Sequence, residues 1–426
     1  MNTPTRRLVV VVRADPVICG HSGEARNLAE VALTRGFDDV RIVTWPIDVL
    51  RDAHLPLKPL DTVMPYSDGI TVERPTGVGD YKVPDGRYLA GLTGRLVELF
   101  TDGVPTVAMS LYLTPHATAV ADARRVAAAT GLPQHVTTVA EAVGSDITNV
   151  VRSCVESHKF GAAAHLFSTY LSNETCVAVS EYTREIIIRA AAEIDAQHGT
   201  RFAPQCAERI GISYPAIDAA QYTNLLDRDI ARALAARGLE RDRYVLFLSR
   251  LSKAKGVDDL ISGFGRSHSR NHVKLVVAGN GPEAVALRAH AASSLAADQI
   301  LFLDDVDDVE KPLLMAGAAA FALPSKPRPE FVETFGIALV EKMLAGGGPV
   351  ITCQTGGIPE AVGSHALMVP HSSPQRIAEA IDHAVGGMSD AELRARESAA
   401  RSHAMKFDRT NVFDHLFAGL TDTLAA

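Results

Sequence analysis

Short apolar runs alternate with longer stretches of helical periodicity along nearly the whole chain. Several of these runs are apolar at every position instead of at every second one, which is typical of parallel strands covered on both faces of a sheet. We therefore predict buried strands at eight places, which are Leu8–Val12, Val40–Thr44, Pro105–Met109, Thr175–Val179, Tyr244–Leu248, Val273–Ala278, Ala318–Leu323 and Pro349–Cys353.

The alternation of strands with helices predicts βαβ units, and so an α/β fold with doubly wound parallel sheets. The pattern pauses at residues 214–243, where a turn leads into a charged helical stretch before the next strand begins. We place the domain boundary there, with residues 1–220 forming a first Rossmann-like domain and residues 221–405 a second. A helix over Arg409–Leu424, within the terminal segment 406–426, is expected to pack back on the first domain.

Residues 53–87 interrupt the periodicity of the first half. The segment is rich in Pro, Gly and Asp, and we interpret it as a long loop insertion. Loops of that length are uncommon in compact domains unless they serve a function.

Composition and charge narrow the classes of function. The chain has 426 residues and a formal net charge of −8, which argues against a nucleic-acid or anionic-membrane surface. No run of 18 apolar residues is present, so no membrane span is expected, and the first run, LVVVV, is interpreted as a strand and not as a signal peptide. The five scattered cysteines lack C-x-x-C spacing, which fits a reducing cytoplasm without disulfides or zinc.

Two cationic residues follow the predicted strand Tyr244–Leu248. Arg250 and Lys255 lie beyond its carboxyl end, where α/β sheets bind ligands. Arginine forms forked hydrogen bonds to phosphate and lysine supplies a point charge, so the pair suggests a diphosphate clamp. A solvated basic turn is the alternative.

A glycine-bearing turn follows the next strand in VKLVVAGNGPEA, residues 273–284. Gly279 and Gly281 match the G-x-G-x-x-A pattern of dinucleotide-binding proteins, although the position deep in the chain weakens that interpretation. A tight strand-to-helix turn that faces a ligand is favoured over a dehydrogenase.

Four aspartates occur in LFLDDVDDVEK, residues 301–311. Asp305 and Asp307 form an Asp-x-Asp pattern that can hold a divalent metal ion. Asp also favours helix starts, so a capped and solvated loop explains the segment more simply, and no metal site is predicted.

Two glutamates bracket a helical pattern that begins near Gly336. Glu333 precedes the helix start and Glu341 lies about five residues, roughly 7–8 Å, into the helix. A helix N-terminus offers free N–H groups to phosphate, and glycine lets a ligand approach the backbone. This spacing fits a nucleotide sugar lying along the helix; ordinary charged helix residues are the alternative. Gly356 and Gly357 add a second glycine turn nearby.

Five elements in order resemble retaining glycosyltransferases of the GT-B fold, in the large family 4 group. They are R-L-x-x-x-K-G from Arg250, V-V-A-G-x-G-P at residues 276–282, P-S at 324–325, E-x-F-G-x-x-L-x-E from Glu333 and G-G-x-P-E from Gly356. Weaker similarities precede them: VAVSEYTREII, YPAIDAAQY with alanine where the family usually has glycine, and the glycine-bearing first loop GHSGEARNLAE.

The resemblance implies two Rossmann-like domains that face an interdomain cleft. Arg250 and Lys255 would bind the diphosphate and stabilise the departing nucleotide, and Glu333 would bind hydroxyls of the donor sugar. Further donor contacts would come from Gly20, Gly23, Gly279, Gly281, Phe335, Gly336, Ile337, Ala338, Leu339 and Glu341. Such enzymes generally need no metal ion, and retention by same-face attack needs no dedicated nucleophile.

The resemblance implies a class of donor and a region of the chain that contacts the acceptor. UDP-glucose or UDP-N-acetylglucosamine leads as co-substrate, with no other cofactor. His21, Glu24 and His116 are candidates for acceptor contact, although His116 is displaced from the family's usual histidine and a buried or loop-capping role fits it equally well.

The composition is typical of actinobacteria and suggests an aminocyclitol or aminoglycoside acceptor in antibiotic biosynthesis. Asp68, Glu73 and Asp80 would attract its positive charge. The alternatives are a sugar-phosphate or inositol glycosyltransferase, and more remotely a non-catalytic protein that binds nucleotide sugars.

Overall fold

The structure, a computed structural model, describes residues 6–80, 82–329 and 331–418, and the chain forms two compact units. Unit 1 comprises the described residues up to Ile217 together with those from Arg409 onward. Unit 2 comprises the described residues from Asp218 to Asp408. Each unit is built on one parallel sheet with helices, as the alternating pattern predicts.

Unit 1 contains a seven-stranded parallel sheet in the order β3-β2-β1-β4-β5-β6-β7. Its strands are β1 (Arg7–Val11), β2 (Asp39–Val43), β3 (Ile70–Glu73), β4 (Thr106–Leu111), β5 (Val136–Ala142), β6 (Thr175–Ala178) and β7 (Ile210–Ile212). Its helices are α1 (Gly20–Leu33), α2 (Ile47–Asp52), α3 (Pro84–Thr101), α4 (Thr118–Thr130), α5 (Ser145–Glu156), α6 (Gly161–Leu171), α7 (Glu181–His198) and α8 (Phe202–Arg209).

Unit 2 contains a six-stranded parallel sheet. The strands are β8 (Tyr244–Leu248), β9 (Lys274–Ala278), β10 (Ile300–Leu303), β11 (Ala320–Leu323), β12 (Val350–Cys353) and β13 (Ala366–Val369), and their order is β10-β9-β8-β11-β12-β13. The helices are α9 (Ala220–Thr223), α10 (Asp227–Ala236), α11 (Val257–Phe264), α12 (Ala284–Ala292), α13 (Glu310–Gly317), α14 (Ile337–Ala345), α15 (Ile358–Val362), α16 (Pro374–Asp382) and α17 (Asp390–Ala404).

The eight predicted strands are all present, with ends that differ by at most two residues from the predicted ones. Their apolar character follows from coverage on both faces. In β1, Leu8 and Val10 pack in one core cluster while Val9 and Val11 pack in another. Strands β3, β5, β7, β10 and β13 lie outside the predicted runs.

The interpretation of residues 53–87 as a loop insertion is wrong in part. The segment contains β3, which pairs in parallel with β2 at the edge of the sheet. Glu73 at the end of β3 forms ion pairs with Arg41 and Arg95, so its charge is neutralised within unit 1. This residue is therefore a poor candidate for attracting a cationic ligand, whereas Asp68 and Asp80 are exposed.

The terminal helix α18 (Arg409–Leu416) belongs to unit 1. Phe413 and Phe417 pack against Phe37, with ring centroids 6.1 and 6.3 Å away, in the core cluster that also includes residues of α1. The predicted extension to Leu424 lies outside the described residues. Among the described helices, none is both long and apolar enough to cross a membrane.

The side chain of Lys342 is buried within unit 2. Lys342 on α14 is 1 % exposed, and its ammonium donates to the carbonyl oxygens of Met315 at 2.8 Å and Gly346 at 2.6 Å. Burial in an apolar environment lowers the pKa of Lys342 to about 7. The charged form is therefore disfavoured in the folded protein relative to the unfolded chain.

We predict that Lys342 makes stability rise with pH. Its folded pKa lies below its unfolded value of 10.5, so the unfolded state binds more protons between those values and the free energy of unfolding increases with pH, by at most about 1.4 kcal/mol per unit. Urea unfolding at pH 7.5 and 9.5 should show this increase in the wild type and a smaller one in Lys342→Met. The exposed Lys253→Met variant serves as the control, and equal slopes in all three proteins would contradict the prediction.

Candidate functional site

The strand order of unit 2 creates a crevice at the carboxyl end of its sheet. β8 lies between β9 and β11, so the loops after β8 and β11 leave the sheet on opposite sides of a topological switch point. Ligands of doubly wound sheets bind at such a point. The residues predicted from the second half of the sequence come from loops after β8, β9, β11 and β12, which all end at this edge.

An ion pair joins the loops that follow β8 and β11. Lys255 donates a short hydrogen bond from its ammonium to the Glu333 carboxylate, and the two side chains are only 13 % and 10 % exposed. Lys255 ends a 3₁₀ turn over Lys253–Lys255, and its ammonium lies 5.3 Å from the centroid of the Phe331 ring. Two residues that are 78 positions apart in the sequence are thus brought into contact.

Arg250 differs from Lys255 in that its side chain has no partner among the described residues. It lies two residues beyond β8 and is exposed. Its guanidinium forms no hydrogen bond or ion pair with the described residues, so its donors are available to a ligand. Of the two predicted cations, Lys255 is thus paired with Glu333, whereas Arg250 has no side-chain partner among the described residues.

The glycines of this edge are required by close packing of the loops on one another. A Cβ at Gly279 would lie 2.1 Å from the carbonyl oxygen of Ser249, and one at Gly281 would lie 2.2 Å from that of Leu251. The amide of Leu251 also donates to the carbonyl of Asn280 at 2.8 Å. These contacts explain the G-x-G pattern as a tight turn against the loop after β8, which needs no dinucleotide.

A second glycine turn fixes the backbone of Glu333. A Cβ at Gly356 would lie 1.9 Å from the carbonyl oxygen of Glu333, and the amide of Gly357 donates to the same oxygen at 2.9 Å. Gly356 also has a φ of +56°, in the region that favours glycine. The loop after β12 therefore positions the carboxylate that pairs with Lys255.

Helix α14 begins at the switch point, as its periodicity predicts. Its N-cap is Gly336, with φ +104°, and no side chain caps this terminus. The amides of Ile337 and Ala338 at the first two helical positions therefore face outward from the positive end of the helix dipole. The amide of Leu339 donates to the carbonyl of Gly336 at 2.9 Å, and its contact with the donor stays a prediction.

Phe335 contributes to the interior of unit 2. Its side chain is 2 % exposed and packs edge-on against Phe407, with ring centroids 5.0 Å apart. Its predicted role in donor binding is therefore restricted to the backbone, since the ring anchors the segment that carries Glu333 and Gly336.

Glu341 is held by two residues that the sequence pattern did not single out. Its carboxylate accepts hydrogen bonds from the hydroxyl of Tyr222 at 2.6 Å and from the ammonium of Lys311 at 2.7 Å. Tyr222 is the last residue of the YPAIDAAQY segment, and Lys311 lies on α13. The glutamate is 12 % exposed, and these two hydrogen bonds set the orientation of its carboxylate.

The aspartates after β10 have other partners. Asp305 forms an ion pair with Arg237 at 2.9 Å, and Asp307 accepts hydrogen bonds from the amides of Val309 and Glu310. Within the described ranges, no group of three or more His, Cys, Asp or Glu residues is arranged to hold a metal ion. The capped-loop interpretation accounts for both side chains.

The predicted residues of the first half lie at the carboxyl edge of the unit 1 sheet. Gly20 and Gly23 are exposed on the first turn of α1, and an added Cβ at Gly23 would meet nothing within 4 Å. His21 lies between them, with its ring centroid 6.1 Å from that of Tyr112. Burial, with the charge of Arg13 second, lowers the pKa of His21 to about 4, so the ring is neutral at neutral pH.

His116 is a buried histidine that stabilises its own loop. Its Nδ1 lies 2.6 Å from the carbonyl oxygen of Leu111, and its side chain is 1 % exposed. Its Nε2 has no hydrogen-bond partner in the described part of the chain. Burial lowers the pKa of His116 to about 4.

Glu24 has a partner that sequence reasoning missed. It is 3 % exposed and accepts a hydrogen bond from the amide of Ala216 at 3.3 Å, and its carboxyl lies beside that of Glu141 near the end of β5. The only signal in the sequence was an acidic residue inside the run VTTVAEA, which is otherwise free of charge.

Comparison with protein families finds a match within unit 2. Residues 231–401 match the family described as Glycosyl transferases group 1. These residues include β8 to β13 and every predicted site residue of the second half. The sequence features of that family are therefore carried by the unit that contains the Lys255–Glu333 ion pair.

Curated relatives match over part of the chain. A GDP-mannose-dependent alpha-(1-6)-phosphatidylinositol monomannoside mannosyltransferase of Mycobacterium tuberculosis is 34 % identical over 158 residues, which cover 34 % of this chain and 41 % of that protein. A D-inositol 3-phosphate glycosyltransferase of Corynebacterium glutamicum is 30 % identical over 230 residues, which cover 51 % of this chain and 53 % of that protein. The chain thus spans about half or less of the length of these relatives.

Solved structures share the fold over almost the whole chain. Anabaena HepE, crystallised with UDP and glucose, has a TM-score of 0.67 at 18 % identity and covers 98 % of this chain and 100 % of its own. WaaG, a glycosyltransferase of lipopolysaccharide biosynthesis, has a TM-score of 0.63 at 17 % identity and covers 97 % of this chain and 100 % of its own. At such identity the likeness establishes the fold, which is GT-B with two Rossmann-like domains.

We predict that Gly356→Ala destabilises unit 2 by about 1–3 kcal/mol, because the new methyl group would collide with the Glu333 carbonyl at a positive φ. Gly386→Ala is the matched control, since a Cβ there would meet nothing within 4 Å, and its expected change is below about 0.5 kcal/mol. Chemical unfolding of the three proteins measures both values. Equal stability of the two variants would show that the glycine turn does not constrain Glu333.

Proposed function

We propose that the protein is a retaining glycosyltransferase that moves a hexose or amino-hexose from a nucleotide sugar to a small hydroxylated acceptor. The observation that carries this proposal is the convergence of Arg250, the Lys255–Glu333 ion pair and the uncapped N-terminus of α14 at the switch point of unit 2. The family match of residues 231–401 supports it.

The positive groups of this edge suit a diphosphate. Arg250 has an unpartnered guanidinium, Lys255 has an ammonium oriented by Glu333, and the amides of Ile337 and Ala338 add the positive end of a helix dipole. As the bond from the sugar to the phosphate breaks, negative charge develops on the phosphate oxygen. Preorganised cations and amides stabilise that charge more than they stabilise the ground state, which lowers the barrier.

The two glutamates suit hydroxyl groups at either end of the donor. Glu333 keeps Lys255 in place with one carboxylate oxygen and can accept hydrogen bonds from sugar hydroxyls. Glu341 lies on the second turn of the same helix, where its carboxylate is fixed by Tyr222 and Lys311 and suits the ribose. We assign the donor sugar to Glu333 and the ribose to Glu341.

We propose a UDP-sugar of the glucose or N-acetylglucosamine type as the donor. UDP is the nucleotide named for the structurally similar Anabaena protein, whereas the mycobacterial relative is named for GDP-mannose. The residues assigned above would contact the diphosphate, the ribose and the sugar. None of them is assigned to the nucleobase. No metal ion is assigned a role, because Arg250, Lys255 and the helix terminus supply positive charge where a metal would.

We place the acceptor on unit 1, with His21, Glu24 and His116 as candidate contacts and the glycines Gly20 and Gly23 at the exposed start of α1. An aminocyclitol or aminoglycoside acceptor in antibiotic biosynthesis is the leading proposal. The second candidate, a sugar-phosphate or inositol glycosyltransferase, is supported by the printed name of the Corynebacterium relative. The five cysteines are all unpaired, which supports action in the cytoplasm.

Retention is proposed to follow same-face attack. The acceptor oxygen forms a bond to the anomeric carbon on the face from which the phosphate departs, and the leaving phosphate accepts the proton of the acceptor. This scheme requires no nucleophilic side chain. The protein mainly orients the donor and the acceptor and stabilises the negative charge on the leaving phosphate.

We predict that Arg250→Ala lowers the rate of transfer from a UDP-sugar by about 10²–10³-fold, because it removes a cation that interacts with developing charge. Arg250→Lys should recover part of the loss, since lysine restores the charge without the forked geometry. The rate is measured as UDP release with an acceptor in saturating donor.

Arg228→Ala is the matched control, because that side chain is 82 % exposed on α10, and its rate should equal that of the wild type. Unchanged transfer by Arg250→Ala would refute the diphosphate clamp. The same assay in EDTA should retain full activity. Activity that disappears in EDTA and returns with Mn²⁺ would instead assign a metal to the reaction.

A further inference from the structure

Unit 1 has its own switch point, between β1 and β4, and buried ionisable side chains collect beside it. Glu24 lies at the start of the second turn of α1, and Glu141 is the penultimate residue of β5, which neighbours β4. Glu141 shares one face of the sheet with Val139, the face that α1 covers. The two carboxyl groups therefore meet between the sheet and α1, at the carboxyl end of the strands.

Glu141 is buried without a partner that could neutralise it. Its side chain is 0 % exposed, and neither carboxylate oxygen accepts a hydrogen bond from an N–H or hydroxyl group of the described residues. Its hydrogen bond is with the adjacent Glu24 carboxyl, to which the protonated Glu141 donates. Native proteins seldom bury two carboxyl groups with only each other to bind, which points to a missing ligand.

The surroundings of the pair keep it protonated in the absence of a ligand. Burial raises the pKa of Glu24 to about 8, and burial together with the charge of Glu24 raises the pKa of Glu141. Asp146 in the first turn of α5 and the phenol of Tyr170 on α6 are the other ionisable groups whose charges couple to Glu141. Both are acidic, so they add no positive charge to the pair.

A positive group lies beside Tyr112, on the loop after β4. The guanidinium of Arg13 lies 5.1 Å from the Tyr112 ring centroid, and burial keeps both His21 and His116 neutral. Asp146 is already occupied, because it accepts hydrogen bonds from three backbone amides, those of Leu113, Gly144 and Ile147. Glu141 is thus the one carboxyl of this group whose oxygens have received neither a cation nor an amide.

We propose that Glu24 and Glu141 form an acceptor subsite whose ligand group is a protonated amine, an assignment that rests on the glycosyltransferase function proposed above. An ammonium has three N–H donors and no acceptor, which matches carboxylate oxygens that lack donors. When it binds, the carboxyl proton passes to solvent and the resulting carboxylate pairs with the ammonium. No covalent bond other than O–H changes.

The chemistry of the carboxyl pair favours an amine over a phosphate or a neutral hydroxyl as the ligand group. A phosphate would meet two carboxyl groups of like charge, which disfavours phosphorylated acceptors at this position. A neutral hydroxyl would bind with the proton still on the pair, so its binding would release no proton. Gly23, which precedes Glu24, is exposed and has open space where a side chain would extend.

The test compares an aminocyclitol with its hydroxyl analogue by titration calorimetry. scyllo-Inosamine and scyllo-inositol differ by one amine, and each is titrated into the wild-type protein saturated with UDP at pH 6.5, 7.2 and 8.0. Each titration is repeated in buffers of different ionisation enthalpy, which gives the number of protons released. We expect the inosamine to bind at least tenfold more tightly at pH 8.0, to release up to one proton, and to gain up to tenfold in affinity per pH unit.

The variant Glu141→Gln should lose at least tenfold in affinity for scyllo-inosamine at pH 8.0. Glu185→Gln is the matched control, since Glu185 is exposed on α7, and its inosamine affinity should equal that of the wild type. If Glu141→Gln does not fold, the number of protons that the wild type releases on binding scyllo-inosamine still tests the amine assignment.

Equal affinity of the wild type for the two cyclitols, or inosamine binding without proton release, would overturn the amine assignment. The UDP titration that precedes each experiment keeps the two proposals apart. Failure of UDP to bind would refute the proposed function, whereas UDP binding without amine selectivity would refute only the acceptor subsite.

Discussion

The loops at the carboxyl end of the unit 2 sheet lie so close together that a side chain at several positions would collide with a backbone carbonyl. A Cβ at Gly256 would lie 2.1 Å from the oxygen of Pro324, and Gly279, Gly281 and Gly356 have equivalent contacts with neighbouring loops. Each glycine thereby fixes one loop against the next. The positions of the charged side chains on these loops depend on that packing.

The Lys255–Glu333 ion pair shows what the packing achieves. Both side chains are almost buried, and a buried pair contributes little net stability because desolvation offsets the attraction. Its value is that the ammonium and the carboxylate are held in one geometry next to an exposed arginine and an open helix terminus. A site of this kind binds a charged ligand without reorganising, which is the property that electrostatic catalysis needs.

The sequence predicted the parts of this arrangement that depend on local pattern. Strands such as β8 were predictable because every residue is apolar, and α14 because its periodicity starts after a glycine. The strand β5 was missed because threonines and Glu141 interrupt its apolar run. The edge strand β3 was missed because it has only four residues and is surrounded by Pro, Gly and Asp. These neighbours are typical of turns, so the local sequence predicts a loop.

The contacts between distant residues could not be predicted in the same way. Lys311 binds Glu341 across 30 positions, and its own segment gave no reason to select it over other surface lysines. Glu141 meets Glu24 only because parallel strands and α1 bring them to one edge of the sheet. Conversely, the glycines of the G-x-G turn suggested a ligand from the sequence alone. In the structure, their close contact with the carbonyls of Ser249 and Leu251 already explains why no side chain fits there.

We propose that the switch point of unit 2 holds a nucleoside diphosphate. A crystal structure of the protein with UDP would test this proposal. We expect the diphosphate to lie between Arg250, Lys255 and the amides of Ile337 and Ala338, and the ribose hydroxyls to contact Glu341. A UDP molecule bound away from these groups, or NAD bound in place of UDP along the turn at residues 279–281, would contradict it.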